Sequence, residues 1–220
     1  MKTTSEAVEK VIKQSPFLEE FMSDGIINLT ALSRKIKKEV ENILKKEVKH
    51  GAIIMALNRY TPSLTLNAQK KLLKFMSNLG AITVRSNLSD HTFLNSKTLV
   101  LHQKDLLGAL ADKKDVFYAV TIGINETTFV ISASESNLIN KLFKTEEMLS
   151  STENLASVSI KLPTALYDTP GVYYHILKKI AWAGINVIEV ISTTYEFTVV
   201  MDEKEVVATF NILNELKKGN

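Results

Sequence analysis

Between Asp168 and Val200 the chain reads DTPGVYYHILKKIAWAGINVIEVISTTYEFTVV, and its hydrophobic period changes there from helical to extended without a linker. That switch restricts the fold more than any other feature. Val172, Ile176, Leu177, Ile180, Ala181 and Gly184 recur at helical spacing, and Thr169-Pro170 is a start signal: a hydroxyl to cap, then proline at the first helical position. The spacing predicts a helix opening just after Asp168. Gly184 lies where that helix should stop, the β-branched run Val187–Ile191 follows, and after Ser192-Thr193-Thr194 a second extended run, Tyr195–Val200, completes a hairpin.

The same order occurs earlier in the chain. After Gly80 come strand-like segments at 81–85, 116–122 and 128–131, with a helix near Gln103–Leu110 and another after Ser134. Sliding the chain along itself by 68 positions lays Phe129 on Phe197, Ser134 on Asp202 as a helix cap, and Leu138, Ile139 and Leu142 on Val206, Val207 and Phe210. Two copies of one β-α-β-β-α unit are expected. The strand at Ile82 lies about eight residues further from its hairpin than the strand at Val158 does. The first copy therefore reads as carrying an enlarged polar loop, Asn87 to Leu101, with Ser89, Asp90, His91, Thr92 and Asn95, as a binding lid or a solvated insertion. The second copy is one strand short of βαββαβ, so strand sharing between copies, or docking of two chains sheet to sheet, must cover its sheet edge.

The first eighty residues have a different texture. Helices are expected from Thr4 to Gln14, from Phe17 to Met22 ending at Asp24-Gly25, from Asn28 as a cap through Leu29, Leu32, Ile36, Val40, Ile43 and Leu44, from His50 to Tyr60 before Thr61-Pro62-Ser63, and from Asn67 to Leu79. This segment carries 14 Lys/Arg against 8 Asp/Glu, whereas residues 81–220 carry 13 against 16. A basic front suits a helix-turn-helix whose second helix, His50 to Tyr60, would offer Lys49, Asn58 and Arg59 to nucleic acid. A helical cap or dimerisation domain with lysine-solubilised helices is the other reading.

The fold class expected is α+β: an N-terminal all-helical domain at 1–80, a divergent repeat at 81–148 and a second repeat at 149–220. No apolar run approaches the roughly eighteen residues of a membrane span, and the start MKTTSEAVEKVIKQ has no apolar core of a secretion signal. A cytoplasmic location is the expectation. The absence of cysteine removes disulfides, thiolate metal sites and cysteine nucleophiles.

Taken together and in order, Pro170-Gly171-Val172, Ala183-Gly184-Ile185-Asn186-Val187, Ile191-Ser192-Thr193 and Asp202-Glu203 closely resemble the ACT domain. The resemblance is to the regulatory module that binds amino acids, in particular the tandem ACT repeats at the C-terminal end of aspartate kinases. It implies ferredoxin-like repeats with interleaved strands and an allosteric effector held at an interface between ACT domains. By that resemblance the ligand residues are Asp168, Thr169, Pro170, Gly171, Val172, Asn186, Val187 and Ile188.

The residue chemistry is compatible with this. Backbone N–H groups of Gly171 and Val172 at a helix start suit a carboxylate, Asp168 an ammonium, Asn186 either end, and the backbone of Val187 and Ile188 could complete the grip. The Lys-Phe-Gly-Gly-Thr-Ser signature of the kinase domain does not occur, nor do GxxxxGK[ST], GxGxxG, GxSxG or HExxH, and His50, His91, His102 and His175 are isolated in sequence. The expectation is a non-catalytic regulatory protein without cofactor or metal, a homodimer sensing an amino acid, with DNA or a protein as a further partner of residues 1–80.

Overall fold

A computed structural model describes residues 3–23, 25–60, 65–164 and 168–218, which form two compact units, 1–71 and 72–220. The expected stop at Thr61-Pro62-Ser63, and Asp24, lie outside the described residues.

The first unit is helical: α1 (Thr4–Lys13), α2 (Pro16–Ser23), α3 (Leu29–Leu44), α4 (His50–Arg59) and the start of α5 (Thr65–Ser77). Thr3 and Glu6 close α1 with a reciprocal capping box, and the Asn28 side chain accepts hydrogen bonds from the N–H groups of Thr30 and Ala31, so α3 begins where its sequence predicts. Helix α3 runs through Lys37-Lys38 and ends at Lys45, whose φ is +54°. Ala7, Val8, Val11 and Ile12 of α1 bury against Leu32, Ile36 and Val40 of α3 and Ile53, Ala56 and Leu57 of α4. Glu41 accepts from the Val48 N–H at 2.9 Å and pins the α3–α4 turn.

The second unit holds one antiparallel sheet of six strands in the order β2-β3-β1-β4-β6-β5: β1 (Ile82–Leu94), β2 (Tyr118–Ile122), β3 (Glu126–Ser132), β4 (Met148–Lys161), β5 (Glu189–Ser192) and β6 (Glu196–Asp202). Helices α6 (Leu99–Leu110) and α7 (Ser136–Leu142) belong to the first repeat, and α8 (Val172–Trp182) and α9 (Val206–Lys218) to the second. Strands β1 and β4 are twice the ordinary length and lie side by side, Ile82 opposite Ile160 and Phe93 opposite Met148. The C-terminal half of each pairs within its own repeat, β1 with β3 and β4 with β6, while its N-terminal half supplies the strand that the other repeat lacks. Strand sharing thus covers the edge.

The two long strands are related by a local twofold at Leu88, which pairs with Leu155. Beside each leucine the register slips by one residue, and Asn87 and Asn154 both adopt φ +57°, a left-handed conformation that asparagine tolerates better than other side chains. Equivalent residues are therefore 67 positions apart in the long strands and 70 in the hairpins, where Ser132 matches Asp202, rather than uniformly 68.

This overturns the enlarged loop. Residues Asn87 to Leu94 are not a loop but the second half of β1, and Ser89, Asp90, His91 and Thr92 are all buried there. A strand this polar survives because its hydrogen bonds are made across the sheet. His91 lies 3.0 Å from the Ser89 hydroxyl through Nε2 and 3.0 Å from the Ser151 hydroxyl through Nδ1, and Ser89 meets Ser136 at 2.8 Å. Burial lowers the His91 pKa and favours the neutral ring.

Helices α8 and α9 pack on Val158, Ile160, Phe197, Val199 and Met201, and α6 and α7 on Phe93, Phe129 and Ile131, with Phe93 and Phe143 stacked at 5.0 Å. The other side of the sheet carries Leu88, Val130, Leu155 and Val200, each at most 2% exposed, beside Asp90, Ser157 and Ser159. Phe117 and Ala119 of the first repeat and Ile188 and Ile191 of the second pack against this same cluster. Burial, and then the Glu126 charge, raise the Glu189 pKa, and the Glu189 charge adds to the effect of burial on Asp90.

Candidate ligand site

Helix α8 begins two residues later than its sequence predicts. Gly171 is the cap, with φ +89°, and Pro170 stands outside the helix, because the chain must turn through a left-handed residue to enter it. An added Cβ at Gly171 would meet nothing within 4 Å, so glycine is required there by conformation alone. Gly171 offers no side-chain acceptor to the first helical N–H groups, and its carbonyl accepts from His175 at 2.9 Å. Asp168, Pro170 and Gly171 are exposed, Thr169 is buried, and Val172 is a core residue beneath them. Next to this turn, Tyr173 stacks on Phe197 with ring centres 5.2 Å apart and shares a hydrogen bond of 2.7 Å with Ser192.

At its other end α8 stops at Gly184, φ +76°, with the Ile185 N–H reaching back to the Ile180 carbonyl at 3.3 Å. Asn186 follows, exposed; Val187 and Ile188 are half-buried, and the Ile188 N–H is engaged with the Val200 carbonyl at 2.8 Å. The Ile188 N–H is therefore part of the sheet ladder rather than available to a ligand. Eleven helical residues, about 16 Å, separate the two groups of candidates. Within one copy the structure brings Asp168, Thr169, Pro170, Gly171 and Val172 together at one end of α8, and Asn186, Val187 and Ile188 at the other.

In the helical unit, Lys49 caps α4 without a side-chain hydrogen bond, and Lys49, Asn58 and Arg59 are all exposed. Among the described residues, no group of three or more His, Cys, Asp or Glu side chains converges as a metal site, and no helix is long and apolar enough to cross a membrane.

The sequence reading missed a cavity of about 350 Å³ in the second unit, lined by Ala81, Thr83, Ser159, Lys161, Thr193, Tyr195 and Glu196. It gathers the start of β1, the end of β4 and the β5–β6 turn. No local motif could have announced it, since β1 and β4 are neighbours only in the folded sheet.

The paired repeats, shared strands and helices of this unit have counterparts among solved structures. Aspartokinase α and β subunits superpose with a TM-score of 0.52 at 13% identity, over 64% of this chain and 99% of that one. The ligand-free regulatory subunit of aspartate kinase from Thermus thermophilus gives 0.50 at 12% identity, over 63% and 97%. Residues 72–220 have the fold of an aspartate kinase regulatory region. The complete aspartate kinase of Clostridium acetobutylicum, TM-score 0.50 at 14% identity, is matched over 62% of this chain but only 34% of its own length. No family model matches the sequence, and no curated protein is similar to it at the level of sequence. At such identities the likeness is one of architecture: two ACT-like repeats joined through their long strands.

Proposed function

We propose that this chain is a non-catalytic regulatory protein whose ACT-like unit senses a small ligand, an amino acid being the leading class. The observation that carries the reading is the turn at Gly171. It opens α8 without a side-chain cap at the exposed edge of an aspartate kinase-type regulatory fold, a place where helical N–H groups and the helix dipole favour a carboxylate. Because Asn186 lies about 16 Å away at the far end of the same helix, one ligand reaches both groups only if two copies of the site residues meet. Asp168, Thr169, Pro170, Gly171 and Val172 from one protomer and Asn186, Val187 and Ile188 from another would then form the pocket, making sensing dependent on a homodimer.

Calorimetric titration of the full chain with each of the twenty amino acids tests this. Binding is expected for one or a few of them, weakened about tenfold or more by Asn186→Ala, as for loss of a hydrogen bond to a charged group. A flat response to all twenty, or binding indifferent to Asn186→Ala and to dilution of the dimer, removes the proposal. DNA binding through Lys49, Asn58 and Arg59 gains support only from their exposure on α4, a property shared by most surface side chains.

A further inference from the structure

The cavity at the end of β4 places opposite charges side by side. Lys161 and Glu196 are direct cross-strand neighbours on its wall, and among the described residues no ion pair engages either one. Around them stand the hydroxyls of Thr83, Ser159 and Thr193 and the phenol of Tyr195. The floor is rigid: Leu162 donates to the Tyr195 carbonyl at 2.7 Å, Thr193 to the Glu196 carbonyl at 2.8 Å, and the Ser159 and Thr198 hydroxyls share a bond of 2.7 Å. The aliphatic stem of Lys161 lies against Gly80, where an added Cβ would fall 2.8 Å from the Lys161 Cβ.

The local twofold supplies an internal comparison. In the first repeat the same frame is built by Asn95 donating to Asn125 at 2.8 Å, Gly123 to Glu126 at 2.8 Å, and Thr92 bonded to Thr128 at 2.9 Å. There Leu94 occupies the place of Lys161, Gly123 that of Thr193 and Asn125 that of Tyr195, while only the glutamate is kept. The cation, a hydroxyl and the phenol are thus present only in the second repeat, on an otherwise equivalent backbone. A lysine and a glutamate held about 5 Å apart along a ladder, and not neutralising each other, match a ligand with one carboxylate and one ammonium separated by a short spacer.

We infer that this cavity is a second binding site, distinct from the turn at Gly171, for a small zwitterion: its carboxylate meets Lys161 Nζ, its ammonium meets Glu196, and Thr83, Ser159, Thr193 and Tyr195 read the remainder by hydrogen bonds. The volume of about 350 Å³ falls in the range of small-molecule sites.

Amide-resolved NMR titration of the full chain with each of the twenty L-amino acids, and with acetate and methylammonium as single-charge probes, tests the inference. The expected result is that at least one amino acid shifts the amides of Ala81, Thr83, Ser159, Lys161, Thr193, Tyr195 and Glu196, binding at least tenfold more tightly than either single-charge probe. Lys161→Met and Glu196→Gln should each weaken it by about 10- to 100-fold, whereas Asn186→Ala leaves it unchanged. Both variants alter exposed side chains, so retained amide dispersion confirms that they fold. Shifts confined to 168–172 and 186–188 would overturn the second site and favour the sensor at Gly171. Cavity shifts that persist in Lys161→Met and Glu196→Gln would overturn the charge-reading role. No shift in either group would overturn both proposals.

Discussion

Asp90 gives the sharpest energetic test of the folded sheet. It sits in β1 opposite Val130 and Thr152, 4% exposed; Thr92 hydrogen-bonds its carboxylate, and Oδ2 has no partner among the described residues. Burial first, and then the Glu189 charge, raise its pKa from 3.8 to about 6. At 1.36 kcal/mol per pH unit this corresponds to about 3 kcal/mol. The folded-state pKa lies above the unfolded one, so the native state binds the proton more tightly. The associated stability is fully present below about pH 4 and is lost as the pH rises through about 6. At neutral pH the ionised Asp90 therefore destabilises the fold. Asp90→Asn keeps the shape and removes both the buried charge and its repulsion by Glu189. Urea unfolding followed by circular dichroism should show the variant more stable than the parent by up to about 3 kcal/mol at pH 7, with the difference closing toward pH 4. His91 is depressed and loses stability as the pH falls, but it faces the other side of the sheet and is common to both proteins, so the difference isolates Asp90. A variant less stable than the parent at pH 7, or a gap that does not close on acidification, would refute the argument that the buried Asp90 carboxylate is ionised at a cost to the fold.

The twofold bulges make a second prediction. Asn154→Ala forces alanine to φ +57° and should cost about 1–2 kcal/mol, while Asn154→Gly should cost less, read from the same urea transitions; equal effects would mean that the asparagine side chain, not the backbone, is what matters. In the helical unit, Asn28→Ala removes the acceptor for two N–H groups of α3 and should lower stability by about 1 kcal/mol with little change in the response to amino acids, as measured by thermal melting with and without ligand.

Much of the local structure was legible in the residues. The stripe on α3 and its Asn28 cap, the helix after Thr169, the Gly184 stop and the hairpin behind it each rest on a period or a terminator that acts over a few residues. The segment Asn87–Leu94 was not legible, because Ser, Asp, His and Thr in succession give no alternating apolar signal. They form a central strand only because Ser136, Ser151, Thr128 and Ile131 come from elsewhere to satisfy them. The single offset of 68 failed for a related reason, since a bulge in each long strand and a shorter connection in the first repeat shift the two parts of the unit by different amounts.

The candidate ligand residues at Asp168–Val172 were readable as a motif, and so were Asn186–Ile188, but their separation along α8 was not. A motif specifies what each residue can do; a helix of eleven residues decides what two of them can do together. By itself the amino-acid order determined two β-α-β-β-α units behind a basic helical front, because caps, breakers and hydrophobic periods act locally along the chain. Tertiary structure alone decided that β1 and β4 exchange halves, that Asp90 is buried in a central strand where the Glu189 charge acts on it, and that Lys161 and Glu196 flank a cavity with Thr83. Those contacts join strands far apart in sequence, and the energies that select them exist only once the sheet has closed.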